Sequence, residues 1–356
     1  MATNRAAMPQ EVKDTRKYSS GTLLMLAPLV VMTTYYYGER ALRMVLLSAL
    51  TAVITEYIGS IFVRKKATLA DFNALCIGIM IPLLLPASSP LWLALVGVVF
   101  AIAVVKLPFG NARSNMFEPV SAAIAFLTVC SKAYMFTYPA VGVIKASNVI
   151  LGSDFTEGTS LASMLYQNNS IGTNLISMLD LWIGSVAGPM GATCGFALLA
   201  ILVSMFFSRR NELWATMSFI IVCAVYAFIF PRVLTGRLVS VVMELSAGML
   251  IFAAIFLITN PAILPKTRNG KIFFGVFTGL LCMLMRSFGV YEEGVCFAVL
   301  IADALSEQFD KIHLPSFKRT APPEKAPLTD EEFERITDTA FIDVGEAPGA
   351  GGAENV

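Results

Sequence analysis

In the run Asp154-Phe155-Thr156-Glu157-Gly158-Thr159-Ser160-Leu161, three hydroxyl side chains crowd into a polar stretch of an otherwise strongly apolar chain. A hydroxyl in this run could carry a covalently attached group. Taken by itself, a Thr/Ser/Gly stretch with an Asp is usually just a hydrated turn. Two acidic residues, Glu56 and Glu244, lie inside apolar runs, where a charge is costly and must face a cavity, a partner or a cofactor. Either suits a proton or sodium path; Glu56 equally suits a contact with a headgroup or a helix neighbour. Arg286, near the end of another apolar run, either neutralises an anionic group or snorkels to the interface.

Other chemistries find no support. Cys76, Cys130, Cys194, Cys223, Cys282 and Cys296 stand singly in or beside apolar runs with no Cys-x-x-Cys pair, which argues against disulfides, zinc and an iron–sulfur cluster held by this chain alone. His313, the one histidine, lies beyond the last apolar run and reads as a solvated side chain. Gly275 and Gly279 are spaced for close helix packing and not for nucleotide binding. No residue is read as catalytic or as a metal ligand. The net charge of +1 offers no basic face for nucleic acid.

The elements that must position these residues are membrane helices. With 56% hydrophobic and 14% charged residues in 356, the chain has too little polar surface to be an ordinary soluble domain. A helix needs about 20 apolar residues to cross the hydrocarbon core. Ten stretches meet or approach this: 20–37, 42–62, 69–86, 90–106, 117–137, 181–207, 213–231, 238–259, 272–287 and 290–306. The ninth and tenth are short and must be joined by a tight turn near Gly289. The fold expected is all-α and integral to the membrane. The N-terminus lacks the pattern of a cleaved signal peptide, so the first run is expected to remain as a helix.

Basic loops tend to stay in the cytoplasm. With the N-terminus inside, that side collects 14 basic residues before the tail, in clusters such as Arg64-Lys65-Lys66, Arg209-Arg210 and Lys266 to Lys271, against seven outside. Lys106 belongs to the first group and Arg286 to the second. Both termini are then cytoplasmic and Thr159 is extracytosolic. Pro86 to Pro90 recurs as Pro261 to Pro265, and Phe117-Glu118 recurs as Tyr291-Glu292, which suggests two inverted five-helix halves with a working site near their interface. The organisation expected is a cytoplasmic segment (1–19), a first repeat (20–137), an extracytosolic insert (138–180), a second repeat (181–306) and a mostly disordered cytoplasmic tail (307–356). Within that tail, Thr329-Asp330-Glu331-Glu332 could cap a short helix.

Thr259-Asn260-Pro261, Pro265, Thr267, Gly270, Gly275, Gly279, Arg286 and Gly289-Val290-Tyr291-Glu292-Glu293-Gly294-Val295-Cys296-Phe297-Ala298 form an ordered set late in the chain. Lys106, Phe109-Gly110, Asn115, Phe117 and Pro119 form a second. Together they resemble the NqrB/RnfD family, membrane subunits of the sodium-pumping quinone reductase and of the Rnf ion-translocating electron-transport complex. The resemblance runs from about the third segment to the tenth. It implies that Thr156-Glu157-Gly158-Thr159-Ser160-Leu161 is a flavin-attachment motif, with FMN joined to Thr159 as a phosphoester by a flavin transferase. It further implies electron flow between ferredoxin and NAD coupled to Na⁺ or H⁺ movement, partner subunits of an Rnf-type complex, a bacterial cell membrane location, and a second, non-covalent flavin such as riboflavin. Arg286 would then face a flavin phosphate or a reduced flavin anion.

The chain departs from the family pattern at four places. Gly158 stands for alanine, Asn260 for aspartate, Glu118 for asparagine and Ala192 for glutamate. The last three change the charge inventory of the bundle and bear on ion coupling. Three other readings remain open: a transporter or channel built from the same inverted halves, an assembly scaffold with a degenerate cofactor site, and a flavin subunit serving a quinone or an extracytosolic acceptor.

Overall fold

The computed structural model describes residues 10–62, 72–111, 114–139, 157–158, 160–168, 178–233 and 236–311. Among them the chain is all-helical apart from two short antiparallel pairings, Gly110–Asn111 (β1) with Ser114–Asn115 (β2) and Tyr138–Pro139 (β3) with Glu157–Gly158 (β4). Thr156, Thr159, His313 and the 329–332 cap lie outside the described residues.

The first two apolar runs form one helical stretch, α1 (Gln10–Phe62), broken in conformation only at Gly38, whose φ of 72° glycine adopts without strain. Helix therefore begins well before residue 20, inside the segment read as an N-terminal cytoplasmic extension. After it come α2 (Asn73–Leu84), α3 (Leu91–Phe109), α4 (Pro119–Cys130) and α5 (Lys132–Met135). The middle of α3, Phe100–Lys106, is π-helical. Then follow α6 (Leu161–Asn168), α7 (Met178–Ile183), α8 (Gly195–Ser208), α9 (Leu213–Ile229), α10 (Arg237–Ser246), α11 (Leu250–Leu257), α12 (Arg268–Phe288), α13 (Val295–Ala304) and α14 (Ser306–Asp310).

Thr15–Phe62, Leu91–Phe109 and Arg268–Phe288 are long and apolar enough to cross a membrane. The ninth segment, read as short, is thus a full-length helix of 21 residues, because Thr267 starts it early by accepting the Gly270 N–H at 3.0 Å. Two runs read as continuous are interrupted. The sixth stops at Ile183 and resumes at Gly195, with Gly184 at φ 94°. The eighth bends by 67° between α10 and α11, where Gly248 takes φ 61°. Apolar composition carries the same signal through such breaks, since side chains on the unwound backbone are as apolar as the helices they interrupt.

The irregular backbone of the sixth segment is satisfied inside the protein. Met190 N–H donates to Leu85 O at 3.1 Å and Gly191 N–H to Leu83 O at 2.6 Å. The Thr33 hydroxyl donates to Met190 O at 3.2 Å. Non-helical backbone at membrane depth is tolerated only where protein supplies such partners. The core is one large apolar cluster through α1, α2, α3, α4, α8, α9, α11, α12 and α13. Leu24, Phe62, Phe207 and Phe288 are among the large apolar side chains turned outward, as a lipid-facing surface requires. At Gly275 a Cβ would collide with Ser218 and Ala215 of α9, so that glycine sets how closely α12 and α9 approach.

The first residues of the expected tail also belong to the bundle. Phe309 packs edge-to-face on Phe274, with ring centroids 6.1 Å apart. Asp310 accepts the N–H groups of Lys266 at 3.1 Å and Thr267 at 3.0 Å.

Candidate functional site

The hydroxyl run is held from both sides. Before Thr159, Tyr138 pairs with Gly158 and Pro139 with Glu157 in the antiparallel β3–β4 ladder. After it, Ser160 Oγ accepts the Ser163 N–H at 3.0 Å and caps α6. Helix α6 is tied down in turn, because Leu161, Ala162 and Leu165 pack with Leu181, Met243 and Ala247 in a small apolar cluster of their own. Thus Gly158 and Ser160, the described neighbours of Thr159, are both anchored. Ser160, read as part of a cofactor motif, has a structural task as the N-cap.

Beside the cap lies a small cavity of about 20 Å³, room for a water molecule and not for an aromatic ring system. Tyr138, Ser160, Ala192, Thr193, Gly248 and Glu293 are among its walls. The Tyr138 hydroxyl is buried there and has no hydrogen-bond partner among the described residues.

Glu293 links this cavity to a buried network at the α10–α11 bend. Arg286 Nη1 lies 3.3 Å from Glu244 Oε2 and donates to Glu244 O at 2.9 Å. Its Nη2 lies 3.5 Å from Glu293 Oε2 and donates to Ala247 O at 2.5 Å. Arg232 approaches Glu244 from the other side, Nε to Oε1 at 3.4 Å. Both Glu293 oxygens sit 3.3 Å from Met249 N, at the start of α11, where a helix favours negative charge. A Cβ at residue 248 would collide with the Glu293 carboxylate, so the bend needs glycine both for its φ and for this approach.

The structure therefore unites Arg286 and Glu244, which the sequence offered as unrelated candidates. Arg286 is 4% exposed and does not snorkel. Its donors are engaged by two carboxylates and two carbonyls, so it stands one side chain behind the cavity wall. Glu293, Tyr138 and Arg232 had no assigned role in the sequence reading; the nearest signal was Glu293 lying inside the Gly289–Ala298 motif.

Glu56 lies elsewhere. Its Oε1 accepts from Lys106 Nζ at 2.7 Å, both side chains being buried. Lys106, counted as a cytoplasmic loop charge, is in fact the interior partner of that acid. Glu118 and Asn260 share the wall of another cavity with Tyr18, Thr22 and Asn73. Two of the four positions singled out in the sequence thus occupy one place, where a carboxylate and a carboxamide face the same cavity. Glu118 also caps α4 by accepting the Ser121 N–H at 2.5 Å, while Asp303 Oδ2 accepts the Glu118 N–H at 2.8 Å. Ala192, a third departure, lines the cavity beside Ser160.

Comparison with known proteins decides the relationship. The family model described as "NQR2, RnfD, RnfE family" matches residues 3–318. The chain belongs to this family. It is similar to a subunit of the Na(+)-translocating ferredoxin:NAD(+) oxidoreductase complex of Acetobacterium woodii, 28% identical over 303 residues covering 84% of this chain and 90% of that protein. It is also similar to a subunit of the ion-translocating oxidoreductase complex of Klebsiella pneumoniae, 28% identical over 314 residues covering 79% and 88%. The corresponding Escherichia coli protein matches at 26% over 313 residues. The NQR2, RnfD, RnfE match takes in Thr159, the α10–α11 bend and both charge networks, so all of these features belong to the shared part of the chain.

Proposed function

We propose that this chain is the membrane flavin subunit, the RnfD component, of an Rnf-type ion-translocating ferredoxin:NAD⁺ oxidoreductase, carrying FMN through a phosphoester on Thr159. The observation that carries the reading is the family match over residues 3–318, which contains a hydroxyl run anchored on both sides. A bound flavin supplies one- and two-electron transfer. The described residues suit its phosphate end. Gly158 leaves the attachment point open, and the capped N-terminus of α6 presents backbone N–H groups and positive dipole to a phosphate on the preceding residue. The cavity beside Ser160 is too small for the ring, and Arg286 is already neutralised, so Arg286 acts through Glu293 and not on the phosphate directly.

In this reading the polypeptide makes ten crossings in two inverted five-helix halves, both termini cytoplasmic, with residues 138–180 on the extracytosolic face of a bacterial cell membrane. Partner subunits supply ferredoxin oxidation and NAD reduction, and a flavin transferase matures Thr159. Riboflavin is the second, non-covalent flavin of the same polypeptide. Of the two acids read as ion-path residues, Glu244 stands at a helix break beside Arg286 and Glu293, where ion movement can be coupled to a bistable element. Glu56 is neutralised by Lys106 and holds α1 to α3.

The test is denaturing electrophoresis of the protein co-expressed with its flavin transferase, read by in-gel flavin fluorescence. A fluorescent band that disappears in Thr159→Ala is expected. A band that survives that substitution would sink the site, and the absence of any band would favour the pore or scaffold readings.

A further inference from the structure

A groove of about 920 Å³ runs between α1 and α8, with Tyr18 as the one wall residue it shares with the Glu118–Asn260 cavity. Lys17, Gly21, Leu24 and Pro28 line one side, spaced as one face of α1. Ala197, Ala200, Ile201 and Ser204 line the other, spaced as one face of α8. Gly21 on α1 and Ala197, Ala200 and Ser204 on α8 leave the space between the two helices unfilled, and the volume is within the ~300–1,000 Å³ usual for a ligand site.

Its polarity is graded along its length. One end is apolar, with Leu24, Pro28, Ala197 and Ala200. At the other end stand Lys17, Tyr18, Ser208, Arg209, Asn211 and Glu212. This polar end coincides with the end of both spans: the apolar part of α1 starts at Thr15, and α8 finishes at Ser208. Lys17 is exposed. Arg209 is built in, stacked on the Tyr18 ring at 4.0 Å and donating to Tyr18 O at 2.9 Å and Thr22 Oγ1 at 2.7 Å. Glu212 opposes it at 3.8 Å, so two cations face one acid at the mouth.

We infer that this groove binds an anionic phospholipid, its acyl chain between α1 and α8 and its phosphate at Lys17 and Arg209. Apolar walls at hydrocarbon depth and excess positive charge at headgroup depth fit such a lipid, and the cations discriminate against zwitterionic headgroups. A segment of a partner protein, the competing occupant, would leave the net positive charge of Lys17, Arg209 and Glu212 unmatched unless it brought its own acid.

The test places a photoreactive residue in the groove of the assembled complex, Leu24→p-benzoylphenylalanine, irradiated in the native membrane. Mass spectrometry of the chain is expected to show a phospholipid adduct. Anionic headgroups should be enriched about fivefold over their share of that membrane, and Lys17→Glu should remove the enrichment while leaving the adduct. Crosslinking to another polypeptide, an adduct without headgroup preference, or no adduct at all would each overturn the inference. None of these outcomes depends on flavin at Thr159.

Discussion

Arg286 is held by Glu244, Glu293 and the carbonyls of a helix bend, and so its removal leaves buried carboxylates short of a partner. Breaking a buried pair in this way costs about 3–5 kcal/mol. Arg286→Met should therefore lower the Tm of the purified protein markedly. An unchanged Tm would mean that Arg232 alone neutralises Glu244. Glu212, in the α8–α9 turn, behaves differently. Burial raises its carboxyl to about 7, against the opposing pull of Arg209 and Lys271. The folded value lies above the unfolded one of about 4.3. The folded state accordingly binds the proton more tightly, and the ionised group costs stability above pH 7. That cost shrinks as pH falls from 7 towards 4.3 and is gone below it. Thermal unfolding should show Glu212→Gln more stable than the parent at pH 8, with the difference closing by pH 5.

The α10–α11 bend stands or falls with Gly248. Any other residue there takes on a strained positive φ, about 1–3 kcal/mol, and drives a Cβ into Glu293. Gly248→Ala should destabilise the fold by at least that amount and loosen the Arg286 network, whereas Gly38→Ala meets open space and suffers only the backbone strain. Comparing the two melting temperatures isolates the contact with Glu293 from the conformational penalty. The Thr267 cap, reinforced by Asp310, shows the opposite device: a helix lengthened into the loop by side chains that satisfy its first N–H groups.

For the whole molecule the outstanding quantity is orientation. The clusters at Arg64-Lys65-Lys66, Arg209-Arg210 and Lys266 to Lys271 set the expected sidedness, and Lys106 no longer counts toward it because it is buried against Glu56. In a cysteine-free background, Ser153→Cys should react with a membrane-impermeant thiol reagent in intact cells, and Lys266→Cys only after lysis. Labelling in the reverse pattern would place Thr159 in the cytosol and end the proposed flavin role.

Amino-acid order alone determined that this is a helical membrane protein, which runs are apolar, and which family it resembles. Hydrophobicity and short motifs are local properties that survive without any knowledge of contacts. It also marked Glu56, Glu244 and Arg286 as unusual, because a charge in an apolar run is conspicuous wherever it points. Which acid meets which base was decided only by tertiary structure. Glu244 and Arg286 are 42 residues apart, Glu56 and Lys106 are 50 apart, and no local pattern couples them. The helix breaks at Gly184 and Gly248 were equally hidden, since an unwound apolar stretch reads like a helix until its backbone partners are seen. Glu118 and Asn260 looked like two independent changes of charge in sequence, and only the tertiary structure brought both to the same wall.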